Sequence, residues 1–276
     1  MLLVKSKLYR AFKYTVYVAL LVNVGYFFLE GLGGAGYIYR DGMALDEVII
    51  AFSTAIDTAA WLVLLLIFEA ETSWLDDNPS PGVRGMLTAG TVICYLLIVY
   101  SFYGYIGVQA VPAGFAPYQG VDPCTLTGTM ASYALELDQY VPLDSENCRT
   151  LAGGAMYNAS LDMFATLKVQ SEMARLTFLD VLNAGTWIIV VTVLALEIRI
   201  VDFARLGALG LRVINLVKLG LYAILLYAAI EWGRLGAPWD TWDAFLWLAA
   251  FFFIELNIFS DQGAKQRSAP DATSSA

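Results

Sequence analysis

The chain has 276 residues, 59% of them hydrophobic and 15% charged, with a formal net charge of −9 and no histidine. That composition lies outside the usual soluble range, and the missing histidine removes His-ligated haem, His-containing metal sites and His-based triads. The acidic residues are spread over loops and helix ends, and no basic patch is present to neutralise phosphates, which excludes nucleic acid as a partner.

Lys5, Lys7, Arg10 and Lys13 precede the first apolar run, residues 14–28. A basic stretch before an apolar one could be a secretory signal peptide. A retained helix is preferred, because Lys13, Tyr17, Leu20 and Leu21 return with the same spacing as Lys218, Tyr222, Leu225 and Leu226. The small-residue stretch with Gly31, Gly33, Gly34 and Gly36 lacks a following Lys-Ser/Thr and a preceding strand, so it reads as a loop and not a phosphate cradle.

Further apolar runs follow at residues 48–68, 86–108, 177–196, 213–230 and 244–259. Most approach the ~20 residues that a helix needs to cross ~30 Å of hydrocarbon. The alternating ~10-residue pattern of a transmembrane barrel is absent. Turn signals separate neighbouring runs at Pro79, Pro81 and Gly82, and again at Gly236 and Pro238.

Lys and Arg set the expected orientation, since cytoplasmic flanks carry the excess. One set of flanks holds Lys5, Lys7, Arg10, Lys13, Arg84, Arg199, Arg205, Arg212, Lys218, Lys265 and Arg267; the other holds Arg40, Arg149, Lys168, Arg175 and Arg234. The expectation is an all-α polytopic protein of the cell inner (plasma) membrane with six transmembrane helices, both termini cytoplasmic. Residues 1–110 carry helices one to three, 111–176 a long extracytoplasmic loop, 177–262 helices four to six, and 263–276 a disordered tail rich in Ser and Ala.

Within the long loop, Cys124 and Cys148 bracket a polar segment and are expected to form a disulfide, whereas Cys94 lies in the third run. Asn158, followed by Ala159 and Ser160, would accept a glycan in a eukaryotic source. Tyr157, Leu161, Phe164 and Leu167 recur at helical spacing and predict an amphipathic helix leading into run four.

One pattern occurs three times: Asp57, Trp61 and Glu71; Asn183, Trp187 and Glu197; Asp243, Trp247 and Asn257. Residues 4 and 14 positions apart fall within about 40° of each other on a helix, so each set forms a stripe roughly 21 Å long. The even-numbered runs share this stripe and the odd-numbered runs resemble one another, which predicts three tandem hairpin repeats. Three hairpins are also the plan of mitochondrial carriers, but their Pro-x-Asp/Glu-x-x-Lys/Arg signature does not occur here, so no family is assigned.

Asp57 lies 11 residues after Asp46 and 12 before Glu69, near the middle of its span. An Asp at a helix centre costs ~2.5–3.5 kcal/mol to insert, so it must face the bundle interior or a water cavity, or carry a proton. Two polar layers joined by tryptophans favour a cation or proton over an anion. The expectation is therefore a channel or transporter for protons or small cations, using the nine stripe residues as its pathway. The competing reading is a packing seam of duplicated hairpins in a non-catalytic structural or accessory subunit of a larger membrane complex. No nucleophile elbow, catalytic carboxylate pair or metal cluster is visible, so neither an enzyme nor a bound cofactor is expected. The lipid bilayer is the expected partner, with a homo-oligomer and membrane-complex subunits both left open.

Overall fold

The computed structural model describes residues 2–75, 79–199 and 203–251. The chain is mostly helical, and five helices are long and apolar enough to cross a membrane: Arg10–Ile38, Ser53–Thr72, Pro81–Ala113, Leu167–Leu194 and Arg212–Leu235. They belong to α1 (Leu2–Ile38), α3 (Ser53–Glu69), α4 (Pro81–Val108), α6 (Leu167–Arg199) and α7 (Phe203–Leu235), with short helices α2 (Leu45–Ala51) and α5 (Ala110–Ala113) between them. A further helix, α8, begins at residue 238 and is described through 251. The remainder of the sixth apolar run, with Asn257 and the tail 263–276, lies outside the described residues.

Local chemistry sets several boundaries. Ser80 caps α4 by accepting the Val83 amide at 3.4 Å, and Pro81, whose missing N–H costs nothing in a first turn, follows it. Glu47 reaches back to the Ala44 amide at 2.7 Å to open α2. Gly236, at φ +85, ends α7 in a conformation that side chains disfavour, so α8 folds back antiparallel. The Gly31 to Gly36 stretch is the last part of α1 and not a loop. Its missing side chains let other backbone approach, since a Cβ on Gly31 would sit 2.6 Å from the Ala51 carbonyl oxygen.

The bundle core contains Leu20, Leu62, Leu65, Cys94, Ile98, Val190, Leu225 and Leu246. Burying each such Leu or Ile contributes roughly 1.5–3 kcal/mol relative to exposure in water. The opposite faces of α4 and α7 leave Leu96, Val99, Leu216, Leu219 and Leu226 exposed, as a lipid-facing surface requires.

The long loop overturns the all-α expectation. It carries a five-stranded sheet in the order β1 (Phe115–Pro117), β4 (Ala155–Asn158), β5 (Met163–Thr166), β2 (Ser132–Glu136) and β3 (Gln139–Pro142). All neighbours are antiparallel except β2 and β5. Successive side chains alternate between two cores. Met163 and Ala165 face the bundle with Ala134, Tyr140 and Met173, whereas Phe164 faces a cap with Tyr133, Leu143, Cys148 and Leu151. The Cys124–Cys148 disulfide joins the two 3₁₀ turns of that cap, as expected from the sequence.

The predicted amphipathic helix is a β-hairpin instead. Tyr157 and Phe164 are paired across β4 and β5, with ring centroids 4.6 Å apart. Their separation of seven residues comes from a hairpin register but equals two helical turns, so spacing alone could not tell them apart. Asn158 is 2% exposed, and its side-chain nitrogen donates to the Val111 carbonyl at 3.0 Å. It is therefore a buried strut and not a glycan acceptor.

Two contacts fasten the sheet to the helices. Arg40, just past α1, donates to the Met130 carbonyl and, at 3.0 Å, to the Ser132 hydroxyl. The β2–β3 turn also reaches into the bundle, where Asp138, at φ +61, lies against Gly34.

Candidate functional site

The stripe residues of α3, α6 and α8 meet at the sheet end of the bundle around a cavity of about 40 Å³. Asp57 and Trp61, Asn183 and Trp187, and Asp243 and Trp247 all line it. One helical turn nearer the sheet, the same wall holds Thr54, Asp180 and Asp240. The repeat is thus longer than the sequence reading had it: Thr54-x2-Asp57-x3-Trp61, Asp180-x2-Asn183-x3-Trp187 and Asp240-x2-Asp243-x3-Trp247. Residues three apart share a helix face, so extending the comparison one turn toward the N-terminus would have revealed Asp180 and Asp240.

Four carboxyl groups therefore share this cavity. All four are half-buried and line the same space. Asp57 accepts a hydrogen bond from the Tyr105 hydroxyl at 3.4 Å, and Asp243 accepts one from the Asn23 amide at 2.8 Å. Two enclosed polar atoms on the lining have no hydrogen-bond partner, Asn183 Oδ1 and Trp232 Nε1. Trp232 is 4% exposed and lies beside Asp180 without reaching hydrogen-bond geometry. An orphan acceptor and an orphan donor on the wall of a polar cavity are the usual mark of ordered water.

An aromatic layer separates the cavity from the opposite half of the bundle. The Trp61 ring centroid is 6.4 Å from Trp187, 6.5 Å from Trp247 and 6.4 Å from Phe251, and Trp187 and Phe251 approach to 4.5 Å. These tryptophans were expected to line a pathway, and all three line the cavity together with Phe251. Beyond them, among the described residues, the core holds Leu62, Leu65, Leu20 and Cys94, and Lys13 pairs with the 3%-exposed Glu69 at 2.5 Å; the Tyr17 hydroxyl donates to the same carboxylate at 3.3 Å.

Of the expected second polar layer, Glu71 is the one member whose side chain lies among the described positions. Glu71 is exposed in a π-helical turn, Ala70–Trp74, a wider turn that follows the end of α3. Glu69, one face over, is buried instead. The Glu197 side chain and Asn257 lie outside the described positions.

A second cavity of about 40 Å³ adjoins the first on the sheet side and shares Phe27, Thr54, Tyr105 and Asp180 with it. Its wall adds Glu30 from α1 and Asp138 from the β2–β3 turn. Among the described residues, no group of three or more acidic or cysteine side chains could hold a metal ion. No protein-family model, curated protein or solved structure matches the chain.

Proposed function

We propose that this protein is an integral membrane channel or transporter for protons or small cations. Its six membrane helices would form three tandem hairpins, with the sheet domain outside the cell and both termini in the cytoplasm. The disulfide supports an oxidising compartment for the sheet domain. The Lys and Arg distribution supports the opposite side for the termini.

One observation carries the reading: Asp57, Asp180, Asp240 and Asp243, brought in by three different helices, share one cavity inside the bundle. Like charges in so small a space repel unless protons or a cation balance them. A packing seam would bring such residues together in satisfied pairs, whereas here Asn183 Oδ1 and Trp232 Nε1 are left without partners. The packed aromatic layer fits one conformation of a transporter or a closed channel, and nothing in the reading requires covalent chemistry.

The test is flux into proteoliposomes driven by an imposed potential and followed with pH-, sodium- and potassium-sensitive dyes. Wild-type protein should carry current, and Asp57→Asn should lower it by about tenfold or more while the folded yield is unchanged. Absence of any flux from folded wild-type protein would sink the transport reading in favour of an accessory subunit of a membrane complex.

A further inference from the structure

The two cavities form a series. Asp180 faces both, with Asp138 and Glu30 on the sheet side and Asp57 on the side of the aromatic layer. Asp138 is contributed not by a membrane helix but by the turn of an extramembrane hairpin. That turn is seated closely, because a Cβ built on Gly34 would lie 3.3 Å from both the carbonyl oxygen and the Oδ1 of Asp138. Each cavity has room for about three waters, taking ~10–15 Å³ for each water centre. Water is also what the 4%-exposed Trp232, with its unpartnered Nε1, and Asn183 Oδ1 call for.

We infer that the transported ion is the proton, and that the sheet domain supplies its inlet: Asp138 passes protons through ordered water to Asp180 and on to Asp57. Every hop breaks an O–H bond on a carboxylic acid or hydronium and forms one on the next oxygen, so nothing is oxidised or reduced. A tightly held metal cation would need several side-chain ligands converging on one point, and among the described residues no group of three or more acidic or cysteine side chains could hold one. A proton needs one carboxylate or water at each step, which is how these acids are spaced along two cavities. Enclosure pushes the Asp138 carboxyl up to about 6, where it can both accept and release protons in near-neutral surroundings.

This inference rests on the transport reading above, and one experiment separates their failures. Wild type, Asp57→Asn, Asp138→Asn, Asp138→Glu and Asp180→Asn are reconstituted into liposomes containing a pH dye, and parallel samples take up radioactive sodium. Folding of each variant is checked by size exclusion and thermal unfolding. Proton flux should fall roughly tenfold or more in Asp138→Asn and Asp180→Asn. Asp138→Glu, which keeps a titratable group, should retain flux with a shifted pH profile, and sodium uptake should not exceed that of empty liposomes.

If proton flux is lost in Asp57→Asn but intact in folded Asp138→Asn, the inlet is wrong while transport stands. Sodium uptake well above the empty-liposome level overturns the proton assignment. No flux of either ion from wild type overturns the transport reading together with this inference. If Asp138→Asn fails to fold, the Asp138→Glu profile and Asp180→Asn decide, and an unmoved profile with undiminished flux counts against the relay.

Discussion

The side-chain amide of Asn23 in α1 donates to Asp243 in α8 at 2.8 Å, joining elements 220 positions apart in sequence. Asn23 is 1% exposed, so its amide is held in the packed interior. Asn23→Leu should therefore destabilise the detergent-solubilised protein by about 1–3 kcal/mol, because it removes the direct donor to the half-buried Asp243 carboxyl group. Adding Asp243→Leu should recover part of that loss. Thermal unfolding of the two singles and the double measures the coupling, and simple additivity would mean that the bond contributes little.

Trp61 touches the three other rings of the aromatic layer. Trp61→Ala should cost about 3–5 kcal/mol through the void it leaves, and should raise passive proton leak in liposomes. Trp61→Phe keeps a ring in place and should leak far less. Equal leak from both variants would show that the layer is not the seal.

The Asp138 carboxyl lies at about 6 in the folded chain against an ordinary 3.8, the cause being burial. The groups around it are Glu30, Tyr39 and Asp180 on the shared cavity, Tyr140, whose hydroxyl accepts the Asp138 amide at 3.3 Å, and the nearby Glu136. With the folded value raised, the folded state binds more protons than the unfolded state between about pH 4 and 6. Stability thus falls as pH rises through that window and levels off above it. The contribution is on the order of 1–2 kcal/mol after allowance for partial exposure. Unfolding midpoints across this range should show a shallower slope for Asp138→Asn than for wild type. A residual slope is expected from Glu136, which is also raised by burial.

The Cys124–Cys148 bridge closes a 24-residue separation in the sheet's cap. Cys124→Ser should cost about 3 kcal/mol of sheet-domain stability. Hydrogen exchange at Tyr133 and Phe164 would report it, since both pack beside Cys148. A reducing agent should weaken wild type but leave the Cys124→Ser/Cys148→Ser double variant unchanged.

Parts of the chain were legible because one physical rule dominated them. Apolar runs of bilayer length admit few structures other than spanning helices, and Asp57 near mid-span had to face an interior. The loop was less legible. Tyr157 and Phe164 are cross-strand partners whose sequence separation coincides with two helical turns, and only the burial of both sheet faces separates the two readings. The π turn Ala70–Trp74, which carries Glu71, was not legible either, because a fixed-period projection does not anticipate a local change of helix pitch. Asp180 and Asp240 lie on the same stripes one turn toward the N-terminus, where the first repeat has Thr54 and the acidic pattern is broken.

Hydrophobic length, the spacing of Asp57, Asn183 and Asp243 relative to their tryptophans, and the pairing of Cys124 with Cys148 were determined by the sequence alone, since each follows from local geometry or from the cost of placing polar groups in lipid. Tertiary structure decided what those stripes meet. Three helices bring their polar faces to one cavity, the sheet's β2–β3 turn adds Asp138 beside Gly34, and Trp61, Trp187 and Trp247 close against Phe251. These relationships depend on which helix faces pack together, and that is set by side-chain fit over the whole bundle and not by any one segment.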